Sequence, residues 1–246
     1  MKPHDAWLRR FRHGTGARAR LVCLPHAGGS ASAFRRWLDH LPDDIDLLAV
    51  QYPGREDRYT EAFATDIAPL ADTLAEAIAP YTDRPLYLFG HSMGASIAYE
   101  LALRMERKGM APAGVFASAH PPPHRQRESA LHLEDDDGLI ADVRRMAGAP
   151  PTLLDDPEVR ALFLPMLRAD YRLIETYRRP IAVALATPIE VLLPVDDGEI
   201  TRDEALAWQD LTLQPLTLHE VDGGHFYLQR QPEALMARLL PRLRTR

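Results

Sequence analysis

Four apolar residues at 86–89 run straight into Gly90-His91-Ser92-Met93-Gly94, and a helical pattern over 95–108 follows at once. No other stretch narrows the fold as much. A short, wholly apolar strand reads as buried on both faces, and a strand that turns directly into a helix belongs to an alternating β/α chain. The turn is a G-x-S-x-G elbow, tight enough to push the serine hydroxyl above the sheet. Glycines at 90 and 94 leave room where a side chain would strike the neighbouring strand or helix. The helix start aims free N–H groups at the same place, and the N–H of Met93 can bind an oxyanion.

The rest of the chain repeats the alternation. Strands are expected at 20–24, 45–50, 115–118, 188–193 and 216–221. Helices are expected at 31–41, 66–79, 205–211 and 232–243, each with apolar residues three and four apart. Within 31–41 the apolar face is read as Phe34, Leu38 and Leu41. This pattern implies a mostly parallel sheet with helices on both faces, whose strand C-termini share one edge where ligands bind. Residues 120–187 break the alternation. They open on Pro121-Pro122-Pro123 and hold two helical patterns, near 139–146 and 157–177, with no convincing strand. The expectation is one domain over 1–246, with 120–187 as a helical lid above the strand ends.

Composition removes several classes. The 246 residues carry 29 basic and 35 acidic side chains, a formal charge of −6, which argues against nucleic acid as the main partner. No apolar run approaches the roughly 20 residues of a membrane span, and the charged stretch 1–12 lacks the apolar core of a secretory signal. The single cysteine, Cys23, falls inside an apolar strand and reads as a buried, inert thiol. These features fit the cytoplasm.

A serine hydroxyl needs a base to take its proton. Of ten histidines, His225 follows the strand 216–221 across Asp222-Gly223-Gly224, on a loop at a strand C-terminus. It is also the last histidine, in keeping with the α/β-hydrolase chain order of Ser, acid, His. The acid belongs after the preceding strand, which offers Asp196 and Asp197, with Asp222 a more distant third. Its task is to hold the imidazole tautomer and stabilise the imidazolium. The second oxyanion donor belongs to the turn after the first strand, Pro25-His26-Ala27-Gly28-Gly29, where the N–H of Ala27 is the choice. His26 stands there as either an orienting side chain or a plain turn residue.

The chain resembles the type II thioesterases, discrete α/β-hydrolases that serve polyketide synthases and nonribosomal peptide synthetases. The resemblance rests on residues 24–32 (LPHAGGSAS), 51–58 (QYPGREDR), 90–95 (GHSMGA), the surroundings of Trp208, and 223–226 (GGHF), and it covers nearly the whole chain. It implies an α/β-hydrolase fold, a catalytic serine at Ser92, a base at His225, and oxyanion N–H groups at Ala27 and Met93. It aligns the acid with Asp197, although Leu193-Pro194-Val195 replaces the glycines expected upstream. Arg55 and Arg58 match the family's PGR-type loop, with local ion pairing as the default role.

By the same resemblance the substrate is an acyl thioester on the phosphopantetheine arm of an acyl or peptidyl carrier protein. The task is release of stalled or misloaded chains, by a monomer without metal or redox cofactor. Leu162, Met166, Leu173 and Tyr177 are candidates for an acyl channel in the lid. Arg125, Arg127, Arg144, Arg145, Arg178 and Arg179 are candidates for docking an acidic carrier. Alternatives are a chain-releasing or cyclising thioesterase, a general hydrolase of acyl-CoA or small esters, and a hydrolase fold used only for binding.

Overall fold

The computed structural model describes residues 6–12, 16–147 and 152–244. The first five residues of the charged N-terminal stretch lie outside that set. Seven strands form one sheet: β1 (Leu8–Arg10), β2 (Ala19–Leu24), β3 (Ile45–Val50), β4 (Leu86–His91), β5 (Gly114–Ser118), β6 (Ile189–Pro194) and β7 (Thr217–Val221). Their spatial order is β1-β3-β2-β4-β5-β6-β7. Strands β2 to β7 pair in parallel, and β1 runs antiparallel at the edge beside β3.

Strands β2 to β6 are buried on both faces, and their alternate residues divide between two cores. Val22, Leu24, Leu48, Leu88 and Val115 face one core with α1 (Ile67–Ile78) and α2 (Met93–Arg107). Leu21, Cys23, Leu47, Phe89 and Phe116 face the other, against Phe34, Trp37 and the helix closing the chain, Pro232–Arg244. This is why the central strands read as unbroken apolar runs. Asp66 starts α1 by accepting the N–H of Ala68, and Gly109, at φ 72°, follows the end of α2.

Residues 120–187 contain α3 (Asp136–Ala147) and α4 (Pro157–Thr176), and no strand among their described residues. Leu139, Ile140, Leu154, Leu164, Leu167 and Tyr171 give this insertion a small core of its own, against which Ala27 packs. Among the described residues no helix is long and apolar enough to cross a membrane.

Four elements differ from the sequence expectation. Strand β1 was not anticipated: only three residues long and two of them arginine, it has no apolar alternation, and its partner β3 supplies the order. Ala31–Asp39 is a 3₁₀ helix rather than an α-helix over 31–41. Its buried residues are Ala31, Phe34 and Trp37, the three-residue spacing of a 3₁₀ turn, so Trp37 is fully buried against the sheet while Leu38 packs half-buried on the same core. The helix expected at 205–211 begins earlier, as α5 (Arg202–Leu206), because Thr201 and Glu204 form a capping box. It then tightens into a 3₁₀ turn over Ala207–Leu211. A four-residue α6 (Tyr227–Arg230), too short to show periodicity, precedes α7 (Pro232–Arg244).

Candidate active site

The site lies where β2, β4, β6 and β7 end on the common edge of the parallel sheet. Ser92 joins β4 to α2 at φ 53° and ψ −124°, in the left-handed half of backbone space that a serine enters only when its surroundings hold it there. Two features hold it. Its N–H donates to the Ser118 carbonyl at 2.8 Å. Gly90 and Gly94 allow the turn to close: a Cβ on Gly90 would fall 2.1 Å from the Gly94 oxygen. Met93 is the first residue of α2, so its N–H has no acceptor within the helix.

β7 ends at Val221, and the loop after it delivers His225, which is 4 % exposed. His225 Nδ1 lies 2.8 Å from Asp197 Oδ2. Asp197 follows β6, and its other oxygen accepts the N–H of Glu199 at 2.9 Å. Its side chain is only 2 % exposed. Asp196 ties the same loop to the His225 loop through its backbone, donating to the Gly223 carbonyl, and its residue is exposed. Asp222 is exposed as well. The carboxylate brought to the imidazole is therefore that of Asp197.

A cavity of about 110 Å³ opens between the sheet edge and the insertion. Ser92, Met93, Ala27, His26, His225 and Phe226 line its floor, so all the expected groups except Asp197 face it. Its roof comes from Leu131, Met146, Tyr171 and Ile174, with the carboxylates of Asp142, Glu175 and Glu199. Asp142 is engaged by Arg145 and by the Tyr171 hydroxyl at 2.7 Å. Burial works against the Glu175 anion. Hydrogen bonds from Ser129, His132 and Leu131 outweigh it and hold its carboxyl below the usual range. A second cavity of about 260 Å³ lies behind, lined by Asp197, His225, Arg145 and Arg230.

Around His225 sits a set of histidines, of which sequence reasoning singled out only His26. The His91 ring packs 5.0 Å from that of His225 and 5.6 Å from that of His26. His91 Nδ1 meets Ser118 Oγ at 2.9 Å, and Ser118 Oγ meets the Tyr227 hydroxyl at 2.9 Å. Burial, then the neighbouring His225 and His26, hold His91 well below the usual histidine range. His26 is lowered to about 3 by burial, then by His225 and Arg55. His120 is lowered to about 4, chiefly by burial. His225 thus rests on uncharged rings. The only sequence signal for this was the adjacency of His91 to Ser92 and of His26 to Ala27.

One expectation about the insertion is corrected. Leu162 is 81 % exposed, Leu173 is buried in the sheet core, Tyr177 donates to Glu100 Oε1 at 2.6 Å, and none of these lines the cavity. Met166 does not line it either. The face of α4 that reaches the cavity carries Tyr171 and Ile174, a rotation from the expected face. The arginines named as docking candidates sit in local pairs. Arg125 pairs with Asp210, Arg127 with Glu204, Arg144 with Asp155, Arg145 with Asp142 and Glu199, and Arg179 with Glu100. Arg178 donates to backbone carbonyls of Glu175 and Tyr177.

A family model described as a thioesterase domain matches residues 19–243. The chain is 42% identical over 229 residues to a probable cadicidin biosynthesis thioesterase of Streptomyces griseus, covering 93% of this chain and 63% of that protein. It spans, then, under two thirds of that relative. It is 39% identical over 227 residues to thioesterase PikA5 of Streptomyces venezuelae, covering 92% and 81% of the two. Among solved structures, the type II thioesterase BorB from the borrelidin biosynthetic cluster matches with a TM-score of 0.90 and 41% identity over 98% of both chains. With likeness running from the start of β2 into α7, the chain belongs to the thioesterase family, in its type II group.

Proposed function

We propose that the protein is a serine thioesterase that cleaves acyl groups from the phosphopantetheine arm of carrier proteins and so clears stalled or misloaded chains from a polyketide or nonribosomal peptide synthase. The observation that carries this reading is the His225 Nδ1–Asp197 Oδ2 contact at 2.8 Å, with His225 facing the same cavity as Ser92. In this reading Ser92 Oγ attacks the thioester carbonyl while His225 takes its proton, and Asp197 stabilises the imidazolium. The N–H groups of Ala27 and Met93 bind the oxyanion, each donor typically lowering the barrier by about 2.7–4 kcal/mol. The C–S bond breaks and His225 protonates the leaving thiol. Water, activated by the same imidazole, then attacks the acyl-serine. The acid departs and the proton returns to Ser92.

The whole chain acts as one domain, with 120–187 as the lid that roofs the cavity. It works as a monomer, with the carrier protein as its transient partner. Support for a carrier-bound substrate comes from the type II relatives.

The test is thiol release from a panel of acyl groups loaded on a purified carrier protein, beside the same groups on coenzyme A and as nitrophenyl esters. The reading expects carrier-bound substrates to be hydrolysed with the highest kcat/KM and the product to be the free acid. Faster turnover of acyl-CoA or simple esters would favour a general hydrolase, and a cyclised product would favour chain release.

A further inference from the structure

The PGR-type loop has a partner that its sequence does not announce. Arg55 is buried, its side chain 4 % exposed, and donates to Asp170 through both terminal nitrogens, Nη1 to Oδ2 and Nη2 to Oδ1, each at 2.7 Å. Asp170 sits in α4, 115 residues away, with its side chain 5 % exposed. Its Oδ2 also accepts the Gly28 N–H at 2.8 Å, and Arg55 Nη1 donates to the Gly29 carbonyl at 2.9 Å. One carboxylate and one guanidinium therefore grip, from two sides, the turn that carries Ala27.

Apolar contacts repeat the arrangement. Gly28 has φ +75°, and a Cβ built on it would lie 2.9 Å from Phe163 Cζ and 3.1 Å from Leu167 Cδ1. Phe163, Leu167 and Asp170 are spaced four and three apart, so one face of α4 lies directly on the turn. The next residue of that face, Ile174, lines the cavity.

We propose that Asp170 is a positioning residue: through Arg55 and the Gly28 N–H it locks the 26–29 turn, and so aims the Ala27 N–H at the oxyanion. Formation of the oxyanion hole is thereby tied to the docked position of α4. This rests on the reading of Ser92 chemistry above. The bonds are charge-assisted and shielded from water, which makes them strong and sharply directional. Lifting α4 would strand a buried guanidinium and free the turn together. Substrate access must accordingly come from the rest of the insertion, with α4 staying in place.

The test compares Asp170→Asn, Arg55→Lys and Leu164→Ala with the parent enzyme. Each is titrated with a fluorophosphonate to count active sites, then assayed for thioester hydrolysis per titrated site. Asn keeps the shape but lacks the charge, and Lys keeps the charge but lacks the two-pronged grip. Leu164→Ala loosens α4 within the insertion's own core and leaves both the clamp and the apolar contacts on the turn intact. Loss of a whole oxyanion donor slows catalysis about 10²–10³-fold, so a misaimed one should lower kcat about 10- to 100-fold in Asp170→Asn and less in Arg55→Lys. KM should stay within about three-fold, as expected when a contact made only in the transition state is lost. Leu164→Ala should lower stability while keeping its rate per site. Unchanged rate per site in both polar variants, or an equal loss in Leu164→Ala, would overturn the proposal. Parent enzyme that fails to label at Ser92 would instead overturn the functional reading itself.

Discussion

Gly94 lies against the backbone of Leu24: a Cβ on Gly94 would fall 2.2 Å from the Leu24 carbonyl oxygen and 2.8 Å from that of Pro25. The elbow and the turn carrying Ala27 thus touch backbone to backbone. That contact sets the distance between the two N–H groups expected to form the oxyanion hole. Because the obstructing atoms are main chain, no rotamer change can relieve the clash. Gly94→Ala should cost at least the usual 1–3 kcal/mol of overpacking and lower kcat as the two turns separate. Urea unfolding and thioester turnover on the same sample would measure both.

The carboxylate assignment separates two adjacent residues. Asp197 reaches His225 and Asp196 does not. Asp197→Asn should lower kcat by about 10³–10⁴-fold, as loss of the orienting carboxylate does in other serine hydrolases. Asp196→Asn should stay within about three-fold of the parent, since an exposed side chain away from the imidazole makes no transition-state contact. Steady-state kinetics of the two variants decides the matter.

Buried neutral histidines make stability fall on the acid side. His26 titrates near 3 in the folded protein, held down by burial, then by His225 and Arg55, and near the ordinary 6.5 when unfolded. Between those values the unfolded chain binds the proton and the folded one does not, so the stability present above pH 6.5 is lost as pH falls towards 3. At pH 5 this one residue should cost about 2 kcal/mol relative to pH 7.5. His120, lowered to about 4, acts in the same direction. Urea midpoints at the two pH values should differ, and His26→Leu should narrow the gap.

Cys23 should be silent. It is fully buried in β2, and burial raises its thiol pKa well above the usual value. A disulfide reagent should react with none of the native protein and with one thiol per chain in guanidinium. Rapid reaction of the native protein would mean that β2 opens far more readily than a central strand should.

The central strands β2 to β6 were legible in the sequence because they are buried on both faces, which forces runs such as Leu21-Val22-Cys23-Leu24 to be wholly apolar. Edge strand β1 escaped notice because two arginines and one leucine carry no pattern, and its order comes from pairing with β3. Ser92 and His225 stand out because the turns that bear them need glycines at fixed offsets. Residue pattern alone narrowed the acid to Asp196 and Asp197, since the path of one loop decides which of two neighbouring carboxylates turns inward, and the family resemblance chose Asp197. The Arg55–Asp170 clamp and the His91–Ser118–Tyr227 chain were invisible for a different reason: each joins residues far apart in the chain, and local spacing holds no trace of such contacts. The face of α4 was misjudged because a one-residue shift turns a helix by 100°, and both faces carry apolar side chains.

The most direct measurement is mass spectrometry of the protein after reaction with a fluorophosphonate, alongside its Ser92→Ala variant. The account predicts one adduct per chain, mapped to the peptide containing Ser92, absent from the variant, with thioester hydrolysis abolished in step. Labelling at another residue, or hydrolysis that survives in Ser92→Ala, would contradict it.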